Sequence, residues 1–246
     1  DGGLTWERYG EGLPEPSCEK FSCPVSTLVR LPGLKNVIIA GTGYRGREYP
    51  GSAIKNSGRL YISKDYGKSW KLLEIGFASV SSCSFATERI GCLASTVGVF
   101  LTATGGRQWT RSLKGIPAVG AKKVLSFPPR RWFLILLEDG TLYRLENITG
   151  HWKKWVEGLP ENSYIVDVAS FKNRVWCVLR SKGPGRLWTR GWEEKSWHRY
   201  KLPSPLGKFP PGSRTFVGLS GRRSLLIWSS EYLFVEEEGD FNASCT

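Results

Sequence analysis

Methionine is absent from the whole 246-residue sequence, and histidine occurs only twice, at His151 and His198. The missing initiator sets the expectation that the chain starts after processing or is cut from a longer protein. No apolar run reaches the roughly eighteen residues a spanning helix needs, so no transmembrane segment is expected. The scarcity of histidine, with no tight pairs of cysteines, excludes the usual zinc ligand sets, and neither a metal nor a cofactor is expected. Acids are also sparse, 22 against 35 Lys and Arg, which leaves a net charge of +13. A basic surface of this size suits an anionic partner, although solvated charge alone gives the same total.

Six cysteines are present, at Cys18, Cys23, Cys83, Cys92, Cys177 and Cys245, and two sequons begin at Asn147 and Asn242. An even cysteine count, candidate glycosylation sites and the missing start favour a secreted, disulfide-bonded glycoprotein. The competing reading is a cytosolic protein whose thiols pack as small hydrophobes. Hydrophobic residues make up 40%, with 11 Trp, and 29 Gly and 14 Pro are spread along the chain. That is a globular composition with many short turns.

An internal repeat organises the sequence. Residues 63–70 read Ser-Lys-Asp-Tyr-Gly-Lys-Ser-Trp, and the chain opens with the same Asp, Gly and Trp spacing at Asp1, Gly3 and Trp6. Weaker copies end at Trp109, Trp152 and Trp197. Gly12, Gly76, Gly115 and Gly158 each lie six residues beyond a repeat Trp. A Gly followed by a short apolar run precedes each internal Trp by eleven or twelve residues, as in Gly58-Arg59-Leu60-Tyr61. The motif is a folding device. Its Asp accepts backbone N–H groups inside a tight turn, its Gly takes a conformation other residues resist, and its Trp covers the turn. Where Thr104 or Trp192 stands at the Asp position, packing is expected to hold the turn.

Short β-branched and aromatic runs bounded by turn residues resolve each repeat into four strands. The units span about residues 26–73, 80–112, 123–156, 164–200 and 214–235. The last shows no fourth strand, and residues 4–9 are a spare one. The expectation is a single all-β domain over 1–246, a β-propeller of five four-stranded antiparallel blades closed by strand 4–9, which removes two open edges. Cys83 and Cys92 fall on neighbouring strands of one blade and are expected to pair. Cys245 is expected to reach Cys18 or Cys177.

The Ser-x-Asp-x-Gly-x-x-Trp segment at 63–70 resembles the Asp-box, or BNR, repeat. That repeat is known from sialidases, sortilin-type receptors, xyloglucan-cleaving glycosidases and a photosystem II assembly factor. The resemblance covers nearly the whole chain as a repeat pattern. It implies the propeller fold but not one activity. Five blades would depart from the usual, larger number.

Catalytic patterns are weak. The Phe/Tyr-Arg-Ile-Pro segment of sialidases is absent, because Arg89-Ile90 lacks the flanking aromatic and Pro. Other glycosidases need two carboxylates across a cleft, and Asp167, on an inner strand, reads better as a structural group. Gly41 to Gly46 has G-x-G-x-x-G spacing but no following helix pattern. A non-catalytic binding or assembly module is therefore expected, with a sialidase-like or other glycoside hydrolase as the alternative.

Two faces are candidates for contact. Turns joining the first two strands of each blade carry Lys35, Arg89, Arg130 with Arg131, Lys172 with Arg174, and Arg222 with Arg223. In a meander these turns share one face, which suits a polyanion or an acidic protein surface. The opposite face carries the insertion with Tyr44, Arg45, Arg47 and Tyr49, which suits a glycan or a neighbouring subunit. The partners expected are thus a protein, a glycan or an anionic surface. Self-assembly into an extracellular filament, envelope or virion is a further option. Nucleic acid has no supporting motif.

Overall fold

The short apolar runs form strands and nothing else: every regular element among the described residues is a β-strand. The computed structural model describes residues 10–13, 25–43, 58–77, 79–171, 173–180, 187–200, 216–220, 224–228, 232–237 and 240–245, with backbone alone for 74–77 and from 216 onward. Among them no helix is long and apolar enough to cross a membrane.

Five antiparallel sheets form, each from four strands taken in chain order. The first holds β1 (Val25–Arg30), β2 (Ile38–Thr42), β3 (Gly58–Ser63) and β4 (Lys71–Phe77). The second holds β5 (Val80–Phe85), β6 (Gly91–Ser95), β7 (Gly98–Thr102) and β8 (Thr110–Arg111). The third holds β9 (Ala121–Phe127), β10 (Trp132–Leu137), β11 (Leu142–Leu145) and β12 (Lys153–Lys154). The fourth holds β13 (Ile165–Phe171), β14 (Arg174–Leu179), β15 (Leu187–Gly191) and β16 (His198–Arg199). The fifth holds β17 (Phe216–Ser220), β18 (Ser224–Trp228), β19 (Tyr232–Glu237) and β20 (Asp240–Cys245). The chain divides into two compact units, Asp1–Ile135 with Arg144–Lys153, and Leu136–Tyr143 with Lys154–Thr246.

The fifth sheet differs from the sequence expectation. Its fourth place, assigned above to residues 4–9, is taken by β20. The segment Asp-Phe-Asn-Ala-Ser-Cys is short of the β-branched residues that mark strands, which hid it from the pattern. Residues 4–9 lie outside the described residues.

The expected Cys83–Cys92 disulfide is absent: Cys83, Cys92 and Cys177 are free and buried. Register gives the reason. Cys83 lies opposite Leu93, and Cys92 lies opposite Ser84. Residues directly opposite share a face and neighbours alternate, so the two thiols sit on opposite faces of the sheet. Burial pushes all three thiols upward in pKa. Cys18, Cys23 and the side chain of Cys245 lie outside the described residues.

In the first unit, Leu31, Ile39, Leu60, Val80, Cys83, Phe85 and Leu93 form one core between the first two sheets. Inner-strand hydroxyls tie successive sheets together. Ser26 Oγ donates to the Val80 carbonyl at 2.6 Å, and Ser84 Oγ donates to Ser126 Oγ at 2.8 Å. In the second unit Trp155 stacks on Trp192, with centroids 6.2 Å apart, and meets the edge of Trp197 at 5.1 Å. Asp167 is buried on β13 and accepts the Val168 N–H at 2.9 Å, as a structural carboxylate does.

The glycines six residues beyond each repeat Trp acquire a role. The Trp70 N–H donates to the Glu11 carbonyl at 2.8 Å, that of Trp152 to Lys114 at 2.9 Å, and that of Trp197 to Glu157 at 2.8 Å. Each acceptor directly precedes Gly12, Gly115 or Gly158, all at positive φ. A Cβ on Gly115 would stand 2.5 Å from the Trp152 carbonyl oxygen. The segment trailing one repeat therefore docks on the Trp of the next, and only glycine lets the two backbones approach this closely. Gly76 is the exception and lies inside β4.

Candidate functional site

The sharpest turn follows β3. Ser63 Oγ accepts the N–H groups of Gly67 at 2.8 Å and Asp65 at 3.3 Å. The Asp65 carboxylate accepts from Ser69 N at 3.0 Å, Ser69 Oγ at 2.5 Å and Ser63 Oγ at 2.7 Å. Trp70 Nε1 closes the turn on the Gly67 carbonyl at 2.9 Å. Hydrogen bonds from Ser69, then from Ser63, hold the Asp65 carboxyl down at about 2.

The weaker copies rebuild these bonds with other groups. Thr102 Oγ1 takes the place of Ser63, accepting Gly106 N at 3.1 Å. Thr104 Oγ1 takes that of Asp65, accepting Gln108 N at 2.9 Å. The sequence expectation that packing alone holds this turn is thereby corrected: a threonine hydroxyl is also an acceptor at the right reach. After β15 the work falls to two charges. Glu194 accepts the Gly191 N–H at 2.9 Å, and buried Arg190 donates to the carbonyls of Glu194 at 2.9 Å and Lys195 at 2.6 Å. The Gly191 bond, with help from Arg174, lowers the Glu194 pKa.

These turns also pin the turns beside them. The Tyr66 N–H donates to the Asn36 carbonyl at 3.1 Å, and Asn36 Nδ2 returns a bond to the Lys64 carbonyl at 2.7 Å. The Gly105 N–H donates to the Arg89 carbonyl at 2.9 Å. Thr87 Oγ1 accepts from Arg89 N at 3.2 Å and Ile90 N at 3.0 Å. The turns that carry cations are thus fixed at their backbones while their side chains stay at the surface.

Two adjoining cavities open among these turns in the first unit. The larger, about 790 Å³, has an aliphatic floor of Leu31, Leu34, Val37 and Ile62 and a rim of Lys64, Glu88, Arg89, Arg107 and Gln108. The second, about 650 Å³, is lined by Pro32, Glu88, Arg89 and Arg131 among others. Glu88 and Arg89 belong to both. Glu88 is the one carboxylate on either lining, against Lys64, Arg89, Arg107 and Arg131. A cleft with one sign of charge and low-dielectric walls raises the local concentration of anions.

Among the cations expected from sequence, the structure brings Arg89 and Arg131 to one cavity. Lys35 is exposed on the turn between β1 and β2. Arg130 is exposed, with its guanidinium 6.0 Å from the Trp132 ring centre. Arg174 is committed elsewhere, gripping Glu194 with two bonds of 2.7 and 3.0 Å. Lys172, Arg222, Arg223, Tyr44, Arg45, Arg47 and Tyr49 lie outside the described residues, as do Asp1, Gly3, Trp6 and the side chain of Asn242. Asn147 is exposed on the turn after β11, where its Oδ1 accepts from Thr149 N and Oγ1, each at 3.1 Å. Lys64 and Arg107 were not expected from sequence, although they lie on turns after the third strand, which in a meander share the face of those after the first; Glu88 lies beside Arg89 on the turn between β5 and β6. Among the described residues no group of three His, Cys, Asp or Glu side chains is placed to hold a metal.

No protein-family model matches the sequence, and no curated protein matches it. Solved structures do. YCF48 bound to D1 peptide aligns over 99% of this chain and 73% of its own, with TM-score 0.65 and 12% identity. An ancestral GH74 enzyme aligns over 91% of this chain with TM-score 0.63 and 19% identity. A GH74 xyloglucanase from Xanthomonas campestris aligns over 89%, with TM-score 0.61 and 14% identity. The fold is a β-propeller. At these identities the likeness extends to the fold alone, and this propeller spans 35% and 38% of the two GH74 chains.

Proposed function

We propose that this propeller is a non-catalytic binding or assembly module that docks an acidic protein surface on the face carrying Arg89 and Arg131. The observation that carries the reading is the pair of cavities sharing Arg89, with four cations and a single carboxylate on their walls. Hydrolysis of a glycoside calls for two facing carboxylates, and this lining offers Glu88 alone. YCF48, a propeller of similar topology, is seen bound to a peptide, a precedent for peptide recognition on this scaffold. The turn at 63–70 is read as an Asp-box, with Thr102, Thr104, Arg190 and Glu194 as substitutes in degenerate copies. An extracellular setting, with sugar on Asn147, is part of the proposal. It rests on the sequons, while Cys83, Cys92 and Cys177, among the described residues, are free thiols.

Poly-L-glutamate is the direct probe. Its affinity for the full chain should fall with added salt, and it should fall about tenfold in Arg89→Glu/Arg131→Glu. Unchanged affinity in that double variant would sink the reading. So would turnover of β-glycosides or sialosides by the wild-type protein.

A further inference from the structure

The larger cavity is more than a charged hollow. Its floor is built from four aliphatic side chains, and one of them, Leu34, remains 38% exposed at the tip of the turn between β1 and β2. That turn is not loose. The Leu34 N–H donates to the Leu31 carbonyl at 3.1 Å, and the Val37 N–H donates to the Leu34 carbonyl at 3.3 Å. The floor is therefore a preformed apolar patch. Around it stand Lys64 and Arg107, on turns fixed by Ser63 with Asp65 and by Thr102 with Thr104. Arg89, on the turn that the Gly105 N–H holds, lines both cavities, and the second adds Arg131. A polyanion that is uniformly hydrophilic would neutralise the rim and leave the floor facing water or hydroxyl groups with no polar partner there.

Resting on the reading above, we infer that the two cavities recognise an extended acidic peptide segment bearing one apolar anchor side chain. The anchor sits on the floor of Leu31, Leu34, Val37 and Ile62. Carboxylates flanking the anchor meet Lys64, Arg89 and Arg107 around the first cavity and Arg131 in the second, where a guanidinium offers paired donors. The charge complementarity identifies the occupant as acidic, and the floor identifies it as amphipathic. Arg131 lines the second cavity from a left-handed backbone, at φ 58, a conformation that favours glycine.

The test uses the full chain and three fluorescein-labelled peptides, Glu-Glu-Leu-Glu-Glu, Glu-Glu-Gly-Glu-Glu and Lys-Lys-Leu-Lys-Lys, read by fluorescence polarisation at low and high salt. The leucine-bearing acidic peptide should bind at least about tenfold more tightly than its glycine counterpart. The basic peptide should not bind. Leu34→Ser should erase the preference for leucine and leave the glycine peptide unaffected. Arg89→Glu should weaken both acidic peptides. Equal, salt-sensitive binding of the two acidic peptides would overturn the anchor and leave the acidic-surface reading standing. No binding of either, with poly-L-glutamate also silent, would overturn both. Equal competition by a heparin fragment would transfer the site to a glycan and overturn the inference. The peptide comparison on unaltered protein stands even if a variant fails to fold.

Discussion

Asp65 shows how one side chain can specify a turn. Ser69 and Ser63 donate to its carboxylate, which lowers its pKa from 3.8 to about 2. A depressed carboxyl stabilises the folded state above its unfolded pKa and loses that contribution as pH falls through the folded value. Asp65→Asn should therefore melt below the wild type from neutral pH down to about 4, with the gap closing as pH drops toward 2. Circular dichroism melts across that range would check it, and a gap unchanged at pH 2 would exclude the carboxylate as the cause. Arg131 poses the opposite case. Its left-handed backbone costs about 1 kcal/mol that glycine would not incur. Arg131→Gly should raise the melting temperature while weakening poly-L-glutamate, a pairing expected when strain is kept for contact and not for folding. Asp65 was readable in the sequence because its motif stands in full. Arg131 was readable as a charge but not as strain, since no sequence pattern reports φ.

At the level of strands and turns, the pattern of short apolar runs carried far. The short apolar runs at 80–85, 132–137 and 224–228 form β5, β10 and β18, because β-branched and aromatic runs between turn residues have few other homes. The outer strands did less well. β8, β12 and β16 are two residues each, held more by the adjoining Trp turns than by their own pairing, and β20 has too polar a composition to stand out. The glycine six residues past each Trp was visible, but its purpose required a second element, the Trp of the following repeat. Gly115→Ala should accordingly lose about 2–3 kcal/mol in urea denaturation, since its Cβ would meet a backbone carbonyl that cannot move aside. Gly10→Ala is the control, because nothing lies within 4 Å of the added carbon and the change should be close to neutral.

Across the molecule, charge and cysteine chemistry read differently from sequence than from structure. The net charge of +13 foretold a basic surface, but which cations converge depends on turn geometry: Arg174 is absorbed by Glu194, while Lys64 and Arg107 come in from neighbouring turns. The disulfide expectation failed for a register reason, since the alternation of a strand places Cys83 and Cys92 back to back. Cys83, Cys92 and Cys177 should resist Ellman's reagent in the native protein and react once it is unfolded, because burial disfavours their thiolates. Rapid native labelling, or a peptide map joining Cys83 to Cys92, would refute the structure at these sites.

The docking of the tails led by Gly12, Gly115 and Gly158 on the following Trp has a practical corollary for anyone cutting this chain. A fragment ending just past its outer strand keeps its own hydrogen-bonded ladder but deprives its neighbour of the carbonyl that Trp70, Trp152 or Trp197 requires. The exchangeable module is therefore offset from the sheet: it begins inside one repeat's trailing segment and ends at the indole of the next. Grafts made at sheet boundaries should orphan a backbone amide at the Trp70, Trp152 and Trp197 seams, whereas grafts made on the offset frame should carry their own fasteners.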